Sequence, residues 1–405
     1  MALFTCKKKT CGHSDFRWIR AVAEKAYSSG CVRYPDQGER SHPVFMASSL
    51  IKIAAFCLFS GSVLLCAQQP EVSTCPHLAL GVDVSFLAQA EQQGTVFRDG
   101  GVPHPGLEIL RHHGYGWVRL RLFNDPKTLP NDLKYTIDEA RRAKAMGFAL
   151  LLDLHYSDDW ADPSHQVTPV AWQALKHKQV TDAVFAFTRD TLMAFRQAGV
   201  LPNMVQVGNE ITSGILWPDG KLPDNWSNFI ELLDAGAHGV AAGSLPDRRP
   251  LIMLHIDQGG NEETTRWFFS HIIASHIPFD VIGQSYYPWW QGSLADLKSN
   301  LAFMAHEYHK PIIVVETAYS WRADNYTKKA GPYPETPAGQ RDFLQALAAT
   351  VAETPDHLGR GLFWWEPAVR GALARRGLFD DDGNALPALN VFDSCTLPTT
   401  KDPNP

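Results

Sequence analysis

The sequence predicts a single α/β domain folded as a (β/α)8 TIM barrel. Three observations carry this expectation. Eight short apolar runs of strand length recur between residues 79 and 365. Longer amphipathic stretches alternate with them, which favours a parallel sheet. No glycine-rich dinucleotide fingerprint follows the first run, so a closed barrel is preferred over an open doubly wound sheet.

The strands are expected at 79–84, 117–122, 148–154, 204–208, 251–255, 280–284, 311–315 and 361–365. Each is rich in Val, Ile, Leu or aromatic residues and short enough to be a buried strand. Helical patterns are expected at 102–113, 131–146, 170–199, 224–243, 261–275, 293–309 and 337–353. No short-period repeat or low-complexity linker interrupts residues 78–393, so the barrel is assigned to residues 75–395.

The 405 residues are 45% hydrophobic and 20% charged, with a formal net charge of −6. No basic face is implied, which argues against nucleic acid or an anionic membrane as a partner. A neutral polymer or small molecule fits better, and a monomer is expected. The 12 Trp and 11 Tyr can fill a core or stack on sugar rings.

Residues 1–45 are basic, carry cysteines and show no clear period. Met46 opens a short polar stretch, and an apolar run follows from Ile53 to Ala67. At about 15 residues the run suits a signal-peptide core better than a membrane span. The expectation is a leader at 1–45 that is not native, a start at Met46 and a signal peptide at 46–67. Cleavage after Ala67, cleavage before Cys66 and an uncleaved anchor remain as alternatives. The protein is therefore expected to be secreted or periplasmic. Only Cys75 and Cys395 follow the proposed cut. They flank the barrel, whose first and last units are neighbours, so one disulfide is expected in an oxidising compartment. The tail at 396–405 reads as disordered.

In this architecture the chemistry sits where strands end and βα loops begin. The residues there are Asp83 and Ser85, Arg121 and Asn124, His155 and Asp158, then Asn209 and Glu210. His255 and Asp257, Ser285 and Tyr286, Glu316, and Trp364, Trp365 and Glu366 complete the ring. Burying such polar groups costs free energy unless they are paired or used. Glu210 and Glu316 end the fourth and seventh strands, across the mouth from one another. Such a pair suits glycosidic hydrolysis, in which one carboxyl protonates the leaving oxygen and the other attacks the anomeric carbon.

Seven strings extend the argument: GVDVSFL with EQQG, VRLRLFNDP, LLDLHYSDDWADPSHQ, VQVGNEI, VIGQSYYPWW, VVETAYSW and GLFWWEPA. Together, and in this order, they resemble glycoside hydrolase family 53, the arabinogalactan endo-β-1,4-galactanases of a retaining (β/α)8 clan. The resemblance spans residues 80–393. It implies that Glu210 is the acid/base, Glu316 the nucleophile and Asn209 a ligand for the sugar 2-hydroxyl. It also implies that Tyr286 positions the nucleophile. The substrate expected is galactan or arabinogalactan, cleaved within the chain.

Arg119 and Arg121 share parity and point into the barrel. Arg121, nearer the mouth, is the expected charge partner of Glu316, and Arg119 a structural ion-pair residue. Asp83, His155, Asp158 and His255 are expected around the sugar. Trp160, Trp289, Trp290 and Trp364 are candidate stacking platforms, with Trp364 as the floor of the cleaved-sugar subsite and Trp365 facing the helices. Two carboxylates need no cofactor, and neither histidine lies in a zinc-type spacing.

Bacterial family members commonly carry an acidic calcium loop after strand seven. Here AYSWRADNYTKKAGPYP has Asp324 as its one acid, and FDDDGN at 379–384 matches ordinary turn composition. A structural calcium stays open as an alternative. Two other readings also stay open. One is a sister glycosidase of the clan acting on mannan, xylan or cellulose. The other is a non-catalytic carbohydrate-binding barrel, which would require one of the two glutamates to be lost.

Overall fold

The computed structural model describes residues 78–323 and 329–393. The expected signal segment, the Cys75–Cys395 pair, Asp324 and the tail lie outside them. Eight parallel strands close a barrel in which each strand pairs with its neighbours in sequence and the first with the last. They are β1 Ala79–Asp83, β2 Trp117–Leu122, β3 Ala149–Leu154 and β4 Met204–Val207. The ring continues through β5 Leu251–Ile256, β6 Val281–Ser285, β7 Ile312–Thr317 and β8 Gly359–Trp365.

The helices are α1 Leu87–Gln92, α2 Gly106–His112, α3 Leu133–Ala145 and α4 His177–Gln197, then α5 Trp226–Gly243, α6 Glu262–Ser275, α7 Leu294–Tyr308 and α8 Pro337–Ala352. Their starts follow from the sequence. Asp132, Asn261, Ser293 and Thr336 each accept a backbone N–H of the first turn, and Pro337 opens α8 where its missing N–H costs nothing.

Two expected helices are shorter than the periodicity suggests. The stretch from 102 begins instead as a small ladder in which Arg98–Asp99 pairs with Val102–Pro103. The stretch from 170 holds one 3-10 turn, Val170–Trp172, before α4. The Asp158 carboxylate takes the Val170 N–H at 2.8 Å and ties that segment to the loop after β3. A 3-10 turn at Pro387–Phe392 stands where an eighth outer helix would close the ring.

The barrel interior is a packed plug of Trp117, Leu151, Met204, Met253, Val315 and Phe363, with smaller neighbours. Gly81 makes room for it, since a Cβ there would lie 2.3 Å from the Phe363 ring. Outward residues of the same strands join the helices in a second, larger core. The inward positions nearer the strands' C-terminal ends turn polar, and the site is built there. Among the described residues, no helix is long and apolar enough to cross a membrane.

Candidate active site

Arg119 rises from the apolar plug and organises the polar layer. Its guanidinium donates to Asp83 at 2.9 Å, Asp153 at 2.8 Å, Glu316 at 3.0 Å and Asn209 at 2.7 Å. The side chain is 1% exposed, as is that of Asp83. An arginine so buried is stable only when paired, and its planar fork suits several carboxylates at once. The positive charge attracts whatever carboxylate closes the layer, and Glu316 does so from β7.

Glu210 follows Gly208, whose φ of 84° bends the chain at the end of β4. Glu210 itself has φ 46°, a left-handed conformation that a non-glycine residue pays about 1–3 kcal/mol to hold. The turn aims its half-buried carboxyl across the mouth. One oxygen of Glu210 and one of Glu316 lie within 4.8 Å of each other. So close an approach is compatible with the short carboxyl separation of retaining enzymes, about 5–5.5 Å.

The two carboxyls have different surroundings. Glu316 accepts from Arg119 and, at 3.0 Å, from the Tyr287 hydroxyl. Glu210 accepts at 2.6 Å from the neutral hydroxyl of Ser285. Burial pushes both carboxyls up, and for Glu210 the charges of Glu316 and Asp257 push further, well above the ordinary range. Arg119 and Tyr287 oppose the rise at Glu316. A single proton shared by the pair therefore belongs on Glu210, with Glu316 ionised.

An open cleft of about 570 Å³ lies over this pair. Of the residues singled out from the sequence, Arg119, Arg121, His155, Trp160, Asn209, Glu210, Asp257, Trp290, Glu316 and Trp365 line it. Trp160 and Trp365 both line it, with ring centroids 6.3 Å apart and planes tilted by 53°. His155 accepts the Ala161 N–H at 3.1 Å and so presents its other nitrogen to Asp153 at 3.0 Å. A neighbouring cavity of about 540 Å³ shares Trp160 and Asp162 with the cleft and continues the groove past the loop after β3.

Several expectations are corrected. Arg119, not Arg121, is the charge partner of Glu316. Arg121 pairs with the fully buried Glu366 and packs under the Trp160 and Phe86 rings, 4.4 and 4.7 Å from their centroids. Parity placed both arginines inside, but parity does not show how high a long side chain reaches. Tyr287, not Tyr286, contacts Glu316. Tyr286 turns outward, donates to the Gly292 carbonyl at 3.1 Å and stacks near Phe343 of α8. Trp364 also faces outward, donating to the Arg376 carbonyl at 3.0 Å, while Trp365 lines the cleft. A one-residue slip in parity exchanges the two faces of a strand.

Trp289 is buried against Tyr319, 5.2 Å between centroids, and Trp290 rather than Trp289 reaches the cleft. Asp83 and His255 lie behind the lining rather than in it, Asp83 under Arg119 and His255 between Asn209 and Ser285. Asp158 holds the Asp125 and Val170 amides and borders only the neighbouring cavity.

Glu210, His255 and Glu316 are the group of metal-capable side chains found among the described residues. The Arg119 guanidinium rests against Glu316, so a cation there would meet an existing positive charge. In the 379–384 turn, Asp380 accepts the Asp382 and Asn384 amides, and Asp381 pairs with Arg322. These acids close the turn and tie it to the loop after β7.

Fold and site together define a (β/α)8 glycoside hydrolase. The model of glycosyl hydrolase family 53 matches residues 79–392, and the chain belongs to that family. A Niallia circulans protein described as uncharacterised is 40% identical over 307 residues, covering 71% of this chain and 83% of its own. An arabinogalactan endo-β-1,4-galactanase of Thermothelomyces thermophilus is 34% identical over 329 residues, covering 77% and 98%. A solved structure of a fungal β-1,4-galactanase superposes with a TM-score of 0.72 at 34% identity, covering 77% of this chain and 98% of that one.

Proposed function

We propose that this enzyme cleaves β-1,4-galactosidic bonds inside galactan or arabinogalactan chains, with retention at the anomeric carbon. Glu316 attacks that carbon as Glu210 protonates the departing oxygen. Glu210, now ionised, then activates water to release the covalent galactosyl intermediate. The observation that carries the assignment is the asymmetry of two carboxyls within 4.8 Å: one against Arg119, the other against a neutral hydroxyl. The charged partner keeps a nucleophile ionised; the neutral one leaves an acid its proton.

Family membership and the named galactanase relatives support the choice of galactan. The open cleft and its continuation beyond Trp160 leave room for a polymer on both sides of the bond. The two-carboxylate route calls on no cofactor. The reading includes export, which rests on the apolar run from Ile53 to Ala67. Reducing-sugar release from galactan, mannan, xylan and cellulose tests the substrate. Galactan should be the one degraded, to oligosaccharides of mixed length. Preferential hydrolysis of another glycan, or none of any, would contradict it.

A further inference from the structure

Glu210 reaches its neighbours through a short polar chain that the reaction as described leaves unused. The Ser285 hydroxyl donates to Glu210 Oε1 at 2.6 Å. Its oxygen lies 2.9 Å from His255 Nε2. Ser285 and His255 are both fully buried, so neither turns to solvent. A hydroxyl has one proton, and here Glu210 receives it. Nε2 must then bring its own proton to Ser285.

The other ring nitrogen has one neighbour of each kind. Nδ1 lies 3.4 Å from the Glu210 amide N–H and accepts from it. It also lies 3.1 Å from Asn209 Oδ1. That oxygen also takes protons from Arg119 at 2.7 Å and from Gln206 at 3.1 Å, which offsets the lone-pair contact with an unprotonated Nδ1, and the Nε2–H tautomer is the one that leaves the Ser285 proton for Glu210. Burial and the Arg119 charge hold His255 well below its usual range, in the neutral form.

We propose that Ser285, held by the Nε2–H tautomer of His255, is a positioning residue that occupies Glu210 Oε1 and reserves Oε2 for the catalytic proton. With Oε1 held as an acceptor, the proton of the neutral acid sits on the oxygen that faces the leaving group. The same bond stabilises the carboxylate after transfer and orients it for water activation. The inference rests on Glu210 being the acid/base. The charged and titratable groups around Glu210 are Glu316 of β7, Asp257 after β5, Arg119 of β2, Tyr287 after β6 and His255 of β5. Ser285 differs from them in donating directly to the Glu210 carboxyl without adding charge.

The test compares Ser285→Ala, Ser285→Thr and Glu210→Gln on galactan and on a galactobioside with a dinitrophenolate leaving group. Removing a donor to the ionised form raises the acid's pKa, so the basic limb of kcat/KM in Ser285→Ala should move up by about one pH unit. Galactan turnover should fall roughly 10–100-fold, with kcat affected more than KM and the activated substrate largely spared. Ser285→Thr should restore both limb and rate. Nitrogen-15 NMR of wild-type His255 should report the Nε2–H tautomer. An unshifted limb in Ser285→Ala with wild-type turnover, or an Nδ1–H tautomer, overturns the proposal. If Glu210→Gln fails to discriminate between the two leaving groups, the fault lies instead in the assignment of Glu210.

Discussion

Arg119 and Glu316 meet at 3.0 Å inside the barrel, with side chains 1% and 11% exposed, far from each other in sequence and on β2 and β7, which β1 and β8 separate in the ring. The contact ties the nucleophile's charge to the fold's internal ion cluster. Arg119→Met should therefore shift the acid limb of kcat/KM upward, since Glu316 loses the charge that favours its ionised form. It should also lower unfolding free energy by about 3–5 kcal/mol, because buried Asp153 would lose its arginine and buried Asp83 one of its two, keeping only Arg121 at 3.7 Å. A pH–rate profile and a denaturant titration measure the two effects.

Tyr287 and Tyr286 separate function from packing on adjacent residues. Tyr287→Phe removes the 3.0 Å donor to Glu316 and should cut kcat by about 10–100-fold, the worth of one hydrogen bond to a charged group. Tyr286→Phe loses only a bond to the Gly292 carbonyl. It should cost about 1 kcal/mol of stability and leave kcat within about twofold. Equal effects on kcat would contradict this account.

The tryptophan pair on β8 divides in the same way. Trp365→Ala should raise KM and lower kcat/KM by about tenfold or more, since a stacking surface in the cleft is lost. Trp364→Ala should act through stability, about 3–5 kcal/mol, because it empties a packed site between barrel and helices. Kinetics at a temperature well below the melting point, beside thermal denaturation, distinguishes them.

Glu210 gives a stability prediction with a definite sign. Its folded-state pKa lies well above the unfolded value, raised by burial and by Glu316. The folded state then binds more protons than the unfolded state between those two pKa values, and stability falls as pH rises through that window. Glu210→Gln removes the penalty. The variant should match the wild type below about pH 4 and exceed it at neutral pH, while losing galactan hydrolysis. Thermal denaturation from pH 4 to 8 follows the difference.

Much of this was legible before the structure. The eight strands and the order of their polar ends follow from periodicity, because a strand buried on both faces needs a continuous apolar run. Asn209, Glu210 and Glu316 are read from the same pattern, since each ends such a run. What failed was direction and reach. Counting inward from Val281 and Gly283 selects Tyr287, and counting from Phe363 selects Trp365. Alternation held on both strands; its phase was misread at Trp364 and Trp365, whereas Tyr286 was chosen by family resemblance without being checked against that phase. Arg119 was misjudged for another reason: the reach of three flexible methylenes and a guanidinium decides its partner, and the buried Glu366 that claims Arg121 lies far away in sequence. The Ser285–His255 chain carries no sequence signal beyond two polar residues at strand ends.

The central claim is that Glu316 forms a bond to the anomeric carbon. A 2-deoxy-2-fluoro galactobioside with a dinitrophenolate leaving group should form that bond and hydrolyse slowly, because fluorine destabilises the oxocarbenium-like transition state. Peptide mass spectrometry of the inactivated enzyme should find one fluorogalactobiosyl adduct, on Glu316. An adduct on another carboxylate, or turnover with inversion and no adduct, would contradict the account.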